Sequence, residues 1–73
     1  MPTSKAIWNR DTQRSFFRAL AAKCAAIKGA EEYRAASKWL DRLYQAIAIP
    51  PTIFAQADNR LLLALMRAED RNA

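Results

Sequence analysis

Arg10, Arg14 and Arg18 recur every fourth residue, a spacing that sets three guanidinium groups in a row along one side of a helix. Guanidinium pairs bidentately with phosphate or carboxylate, so such a row can follow a nucleic-acid backbone or an acidic protein surface. A solvated helix face has the same composition, and spacing alone does not separate the readings. Placement of charge gives the row its interest. The chain carries +5 overall. Residues 1 to 30 hold Lys5, Arg10, Arg14, Arg18, Lys23 and Lys28 against Asp11 alone, whereas residues 31 to 73 hold six basic and six acidic residues. The positive field is therefore expected to belong to the first segment and to steer an anionic partner there.

Trp8, Trp39 and Tyr44 are residue types that anchor protein interfaces, because they bury a large area with few rotamers to freeze. Trp8 and Trp39 fall outside the main apolar stripes, which leaves interface and core both open for them; Tyr33 and Phe17 are expected in the core. Cys24 has Lys23 beside it and Lys28 one turn on, an arrangement suited to a reactive thiol, but its place on an apolar stripe points to a small buried hydrophobe. Glu31, Glu32 and Asp41 have no nucleophile or proton relay near them and read as helix-dipole and salt-bridge residues. The chain has no histidine and one cysteine. No metal site and no cofactor are expected, and catalysis would fall to Asp, Glu, Lys or Tyr in a domain too small to enclose much of a pocket. The expectation is a protein that is not an enzyme.

These side chains need elements to hold them. Glycine occurs only at Gly29 and proline only at positions 2, 50 and 51, while alanine supplies sixteen of the 73 residues. The punctuation predicts a single helical domain over 1–73, with helices at about 10–28, 31–48 and 52–70. The first would be capped by Asn9 or Asp11 and closed by Gly29 as its C′ residue, with Phe16, Phe17, Leu20, Cys24 and Ile27 inward. The second would bury Tyr33, Ala36, Leu40, Leu43, Tyr44 and Ile47, with Lys38 and Arg42 beyond Trp39.

The third segment is different. Thr52 can cap a short turn, and Asp58 or Asn59 can cap a final helix, so one helix or two is open. Leu61, Ala64, Leu65 and Ala68 mark one side, yet Leu62, Leu63 and Met66 project elsewhere. A helix apolar nearly all round is normally covered on several sides. The fold class predicted is all-α: a small bundle of two to three helices completed by homodimerisation, with Leu61, Leu62, Leu63, Leu65 and Met66 at the dimer interface. Two-fold pairing would also support the thin core of so short a chain.

The stretch from Met1 to Trp8 has no apolar run of signal-peptide length, and the longest uncharged run, 43–57, is broken by Pro50 and Pro51. A cytoplasmic protein with no membrane partner is expected. A helix-turn-helix would use the turn at Gly29, leaving Arg34, Lys38 and Arg42 outward on the second helix. Glu31 and Glu32 at its start would oppose phosphate, however, and the third helix carries too many leucines for a groove.

The alanine-rich run from Ala19 to Ala26, the flanking Trp39 and Tyr44, and the leucine-dense stretch Leu61 to Met66 give the chain a definite general character. It resembles the small early proteins that bacterial viruses make to disarm or redirect host machinery. That resemblance implies a short, helical, dimeric inhibitor or modulator that masks a host protein, such as a transcription regulator, a defence complex or a motor ATPase. It assigns no residue. From the residues themselves, the expected surface for an acidic or apolar protein target comprises Trp39, Tyr44, Arg10, Arg14, Arg18, Arg42 and Trp8. The alternative is a small basic DNA-binding transcriptional regulator.

Overall fold

A computed structural model describes residues 5–72 and places them in an all-α bundle of three helices: α1 (Arg10–Ala26), α2 (Ala30–Ala46) and α3 (Pro51–Asn72). Asn9 starts α1 from an extended conformation, and its Oδ1 accepts the Thr12 backbone N–H at 2.9 Å, satisfying one of the donors a helix start leaves free. Asp11 adds a negative charge to that first turn.

The end of α1 departs from expectation. The helix stops at Ala26, with Ile27 extended at φ −74°, ψ 112° and its side chain buried. Leaving the helical path at Ile27 lets that side chain turn inward, so Gly29 is not a left-handed C′ residue. It is extended, at φ −176°, and serves as the N-cap of α2. A β-carbon there would meet only Glu32 Oε1, at 3.9 Å. Glu32 does more than complement the dipole: from the first turn of α2 its carboxylate reaches back to accept the Lys28 backbone N–H at 3.1 Å. Asn72, at the end of α3, donates from its side chain to the Lys28 carbonyl at 3.2 Å and ties the third helix to this turn.

The residues from 47 onward form the second corner. Ile47 is extended, Pro50 disfavours helix before it, and Pro51 begins α3 at the position where its missing N–H does no harm. From there α3 runs unbroken for 22 residues. The question of one helix or two resolves as one; Thr52, Asp58 and Asn59, offered as caps, lie within it.

The core consists of Phe16, Leu20, Ile27, Ala36, Leu40, Ile49, Ala57, Leu61 and Ala68. The buried positions of α1 and its end (16, 20, 27) and of α3 (57, 61, 68) have the same spacing, the signature of helices that each offer one stripe. Ala36, Ala57 and Ala68 let the helices approach closely, and α3 packs chiefly on α2. Leu61 is fully buried within this core. It is therefore not available to a dimer interface, and Leu65 is partly buried against the same core. The bundle also recruits the chain ahead of α1: the Ala6 N–H donates to the Ala46 carbonyl at 2.8 Å, and the Ala48 N–H donates to the Ala6 carbonyl at 2.9 Å. No helix among the described residues is long and apolar enough to cross a membrane.

Candidate anion-binding face

At 100° per residue, the α1 positions 10 and 14 lie beyond Phe17 and Cys24 on one flank of the Leu20 stripe, whereas Arg18, about 160° from Leu20, turns to the side of α1 opposite the core and leaves the expected row. That flank faces α3, because Cys24 lines a cleft with Arg60, Leu63, Ala64 and Arg67. The cleft continues along the helices, where Ala25 and Ile27 face Arg67 and Arg71, and ends where Lys28 meets Arg71 and Asn72. At the other end of α1, Arg10 and Arg14 border a shallow depression with Trp8, Gln13 and Phe17. All of these arginines and Lys28 are exposed.

On α3, positions 60, 67 and 71 fall within about 40° of one another on the α1 side. Asp58 and Glu69 lie roughly opposite them, toward α2, and Asp70 lies between, about 80° from Arg60 on the outer arc. The six positive and six negative charges of residues 31 to 73 cancel in number but not in space. The expectation that the positive field belongs to the first segment alone is corrected accordingly: α1 and α3 share it. Arg60, Arg67 and Arg71 were not singled out from sequence, although their spacing of seven and four residues is a helical-face signal.

The remaining expected site residues do not join this face. Trp39 stacks on Phe16 with ring centroids 6.0 Å apart and planes 8° from parallel, and the Lys23 Nζ lies 5.6 Å from its ring centre. It borders an apolar groove between α1 and α2, on the side of α1 away from the arginine row. Tyr44 lies on the other flank of α2, packed on Phe54 at 4.4 Å with the Lys5 Nζ over its ring at 4.8 Å. Trp8 meets Phe16 edge to face at 5.5 Å. Arg42 is exposed on the outer face of α2. The surface expected to combine Trp39, Tyr44, Arg42 and the α1 row is thus not one surface, because the aromatic rings are drawn into packing on opposite sides of α2. Cys24 is partly buried and not enclosed.

No family model, curated protein or solved structure matches this chain.

Other features of the surface and interior complete the site. Leu62, Leu63 and Met66 stay 43%, 42% and 55% exposed on the outer arc of α3. Among the described residues there is no buried polar or charged side chain, and no group of three or more His, Cys, Asp or Glu that could hold a metal ion. What this arrangement can do chemically is attract and hold anions over a broad, open, basic surface.

Proposed function

We propose that this chain acts by binding and not by catalysis, docking an anionic macromolecule against the basic face shared by α1 and α3. The observation that carries this reading is the placement of Arg10, Arg14, Arg60, Arg67 and Arg71 on one side, with Asp58 and Glu69 turned away and Asp70 alone of the α3 carboxylates near its edge. A host protein with an acidic surface, masked by a small inhibitor or modulator, is the partner that the resemblance to bacterial-virus proteins suggests. DNA is the second reading, and one observation favours it: Trp39 and Tyr44, the intended anchors of a protein interface, are engaged in packing.

A second copy of the chain is the occupant proposed for Leu62, Leu63 and Met66, whose outer arc is bordered by Arg67 on one edge and by Asp58 and Glu69 on the other, with Asp70 at its C-terminal end. Such a two-signed strip is self-complementary.

Pull-down from native host lysate, with and without nuclease, tests the main reading when wild type is compared with an Arg14→Glu/Arg67→Glu variant. Material captured by wild type and lost from the variant is the expected result. Identical capture by both proteins would falsify the basic face as the docking surface.

A further inference from the structure

We infer that the ligand of the α1–α3 face is the sugar-phosphate backbone of a nucleic acid, laid along a track of arginines that runs from the start of α1 onto α3, with Cys24 on the floor of the α3 part. The inference rests on the reading that this face binds an anionic macromolecule, and it names the class.

Three observations favour phosphate over an acidic protein. The first is extent. Arg60 to Arg71 covers about 16 Å along α3, at 1.5 Å per residue. Duplex DNA carries roughly nine phosphates over such a length, one per ~1.7 Å of its axis. Because Cys24 faces positions 60, 64 and 67 while Lys28 faces 71, α1 and α3 run side by side in the same direction. The arginines therefore succeed one another along the face, Arg10 and Arg14 at the start of α1 and Arg60, Arg67 and Arg71 farther on beside Cys24 and Lys28, a single staggered track that suits a linear polyanion.

The second is chemistry. The face carries arginines, which fit phosphate bidentately; Asp11 is the one carboxylate on α1, and Asp70 is the one α3 carboxylate near the edge of the face. The third is the scarcity of anchors. Protein interfaces concentrate their affinity in desolvated aromatic and apolar centres, but the cleft beside Cys24 offers Ala64 and Leu63 between arginines. Contacts of this kind supply affinity from charge and counterion release, without reading bases.

The test uses the full chain and a short fluorescein-labelled duplex of mixed sequence, with the matching single strand as a parallel arm and poly-L-glutamate as the acidic-polypeptide probe. Anisotropy is read from about 50 to 200 mM salt, and Cys24 alkylation by a maleimide is followed with and without each probe. With five to seven phosphates contacted, log K should fall against log salt with a slope of about −5 to −6 on duplex, or about −4 to −5 on single strand. The stronger arm identifies which form of the backbone is held. Arg67→Gln/Arg71→Gln should flatten the slope by about 2. Bound nucleic acid should slow Cys24 alkylation severalfold.

Binding that ignores the α3 substitutions, or that leaves Cys24 equally reactive, overturns the track across the Cys24 cleft. If poly-L-glutamate binds and protects Cys24 while neither nucleic acid does, phosphate is wrong and the docking of an anionic partner stands. If none of the three binds at low salt, both readings fall. The substituted side chains are exposed, so unchanged helical circular dichroism is expected and excludes unfolding as the cause.

Discussion

Phe16 and Trp39 lie ring on ring across the α1–α2 boundary, 6.0 Å between centroids and 8° from parallel, while Trp8 and Phe17 meet the same Phe16 edge to face. One buried phenyl thus organises three aromatic neighbours, in the offset and T-shaped geometries that ring quadrupoles favour.

Trp39→Ala should accordingly act on stability before it acts on any partner. Removing a fully buried aromatic costs about 3–5 kcal/mol, and Trp39 is only partly buried, so a loss of about 2 kcal/mol is expected. For a domain of this size that is a fall in Tm of about 8–16 °C. Trp39→Phe keeps a stacking ring and should lose less than half as much. Thermal circular dichroism checks both; an unchanged Tm for Trp39→Ala would mean that the stack adds nothing to the fold.

Asn9 supports the start of α1 in a different way. Its Oδ1 accepts the Thr12 N–H and lies 2.9 Å from the Thr12 hydroxyl, which is also 3.1 Å from the Ile7 carbonyl; the single hydroxyl proton serves one acceptor at a time. Asn9→Ala should lower stability by about 1 kcal/mol and Asn9→Ser by much less, because serine restores the cap. Denaturant titration decides it, with equal midpoints for the two variants contradicting a capping role.

The comparison with sequence is clearest at the corners. Asn9 was legible as a boundary because a cap acts through its own side chain and nearest neighbours, whereas Pro50 marked only a limit: α2 ends at Ala46, two residues before the expected 48, where Ile47 turns extended and pairs with Ala6. Gly29 misled because a glycine that permits a left-handed turn does not require one; the burial of Ile27, a tertiary demand, moved the helix end two residues earlier. The α1 stripe at 16, 20 and 27 followed from periodicity, as did the shared side of Leu61 and Ala68, whereas Ala57 and Ile49 were not read as core. Leu61 was misplaced because a leucine-dense helix does not declare which leucine faces home until its neighbours are fixed. The arginines of α3 were hidden for a related reason: net charge over a segment discards direction, and direction makes 60, 67 and 71 a face.

Leu61 and Leu62 sit side by side in sequence and should respond oppositely to truncation. Leu61 is fully buried, so Leu61→Ala removes transfer energy and leaves a cavity, a loss of about 3–5 kcal/mol that takes away much of a small domain's stability. Leu62 is 43% exposed, and Leu62→Ala should leave the isolated bundle within about 0.5 kcal/mol of wild type. Urea denaturation at low protein concentration reads the difference; comparable losses would place Leu62 in the core as well.

Exposure at Leu62 directs the last prediction to self-association and to its geometry. The arc made by Leu62, Leu63 and Met66 has Asp58 and Glu69 along one edge and Arg67 along the other, with Asp70 on the arc one turn past Met66, where the apolar surface ends; Arg60 and Arg71 lie farther round toward α1. When two such helices pair in parallel, unlike edges meet; when they pair antiparallel, like edges meet and repel. The proposed dimer is therefore parallel about α3. Light scattering at micromolar concentration should give twice the chain mass for wild type and the single mass for Met66→Glu, with helical content unchanged. In a Cys24→Ser background, Leu62→Cys should form an intermolecular disulfide under mild oxidation, since a parallel two-fold brings each residue 62 against its own copy. A monomeric wild type ends the dimer proposal. A dimer that fails to cross-link through position 62 but does so when Asn59→Cys is paired with Met66→Cys reverses the orientation, and with it the charge argument.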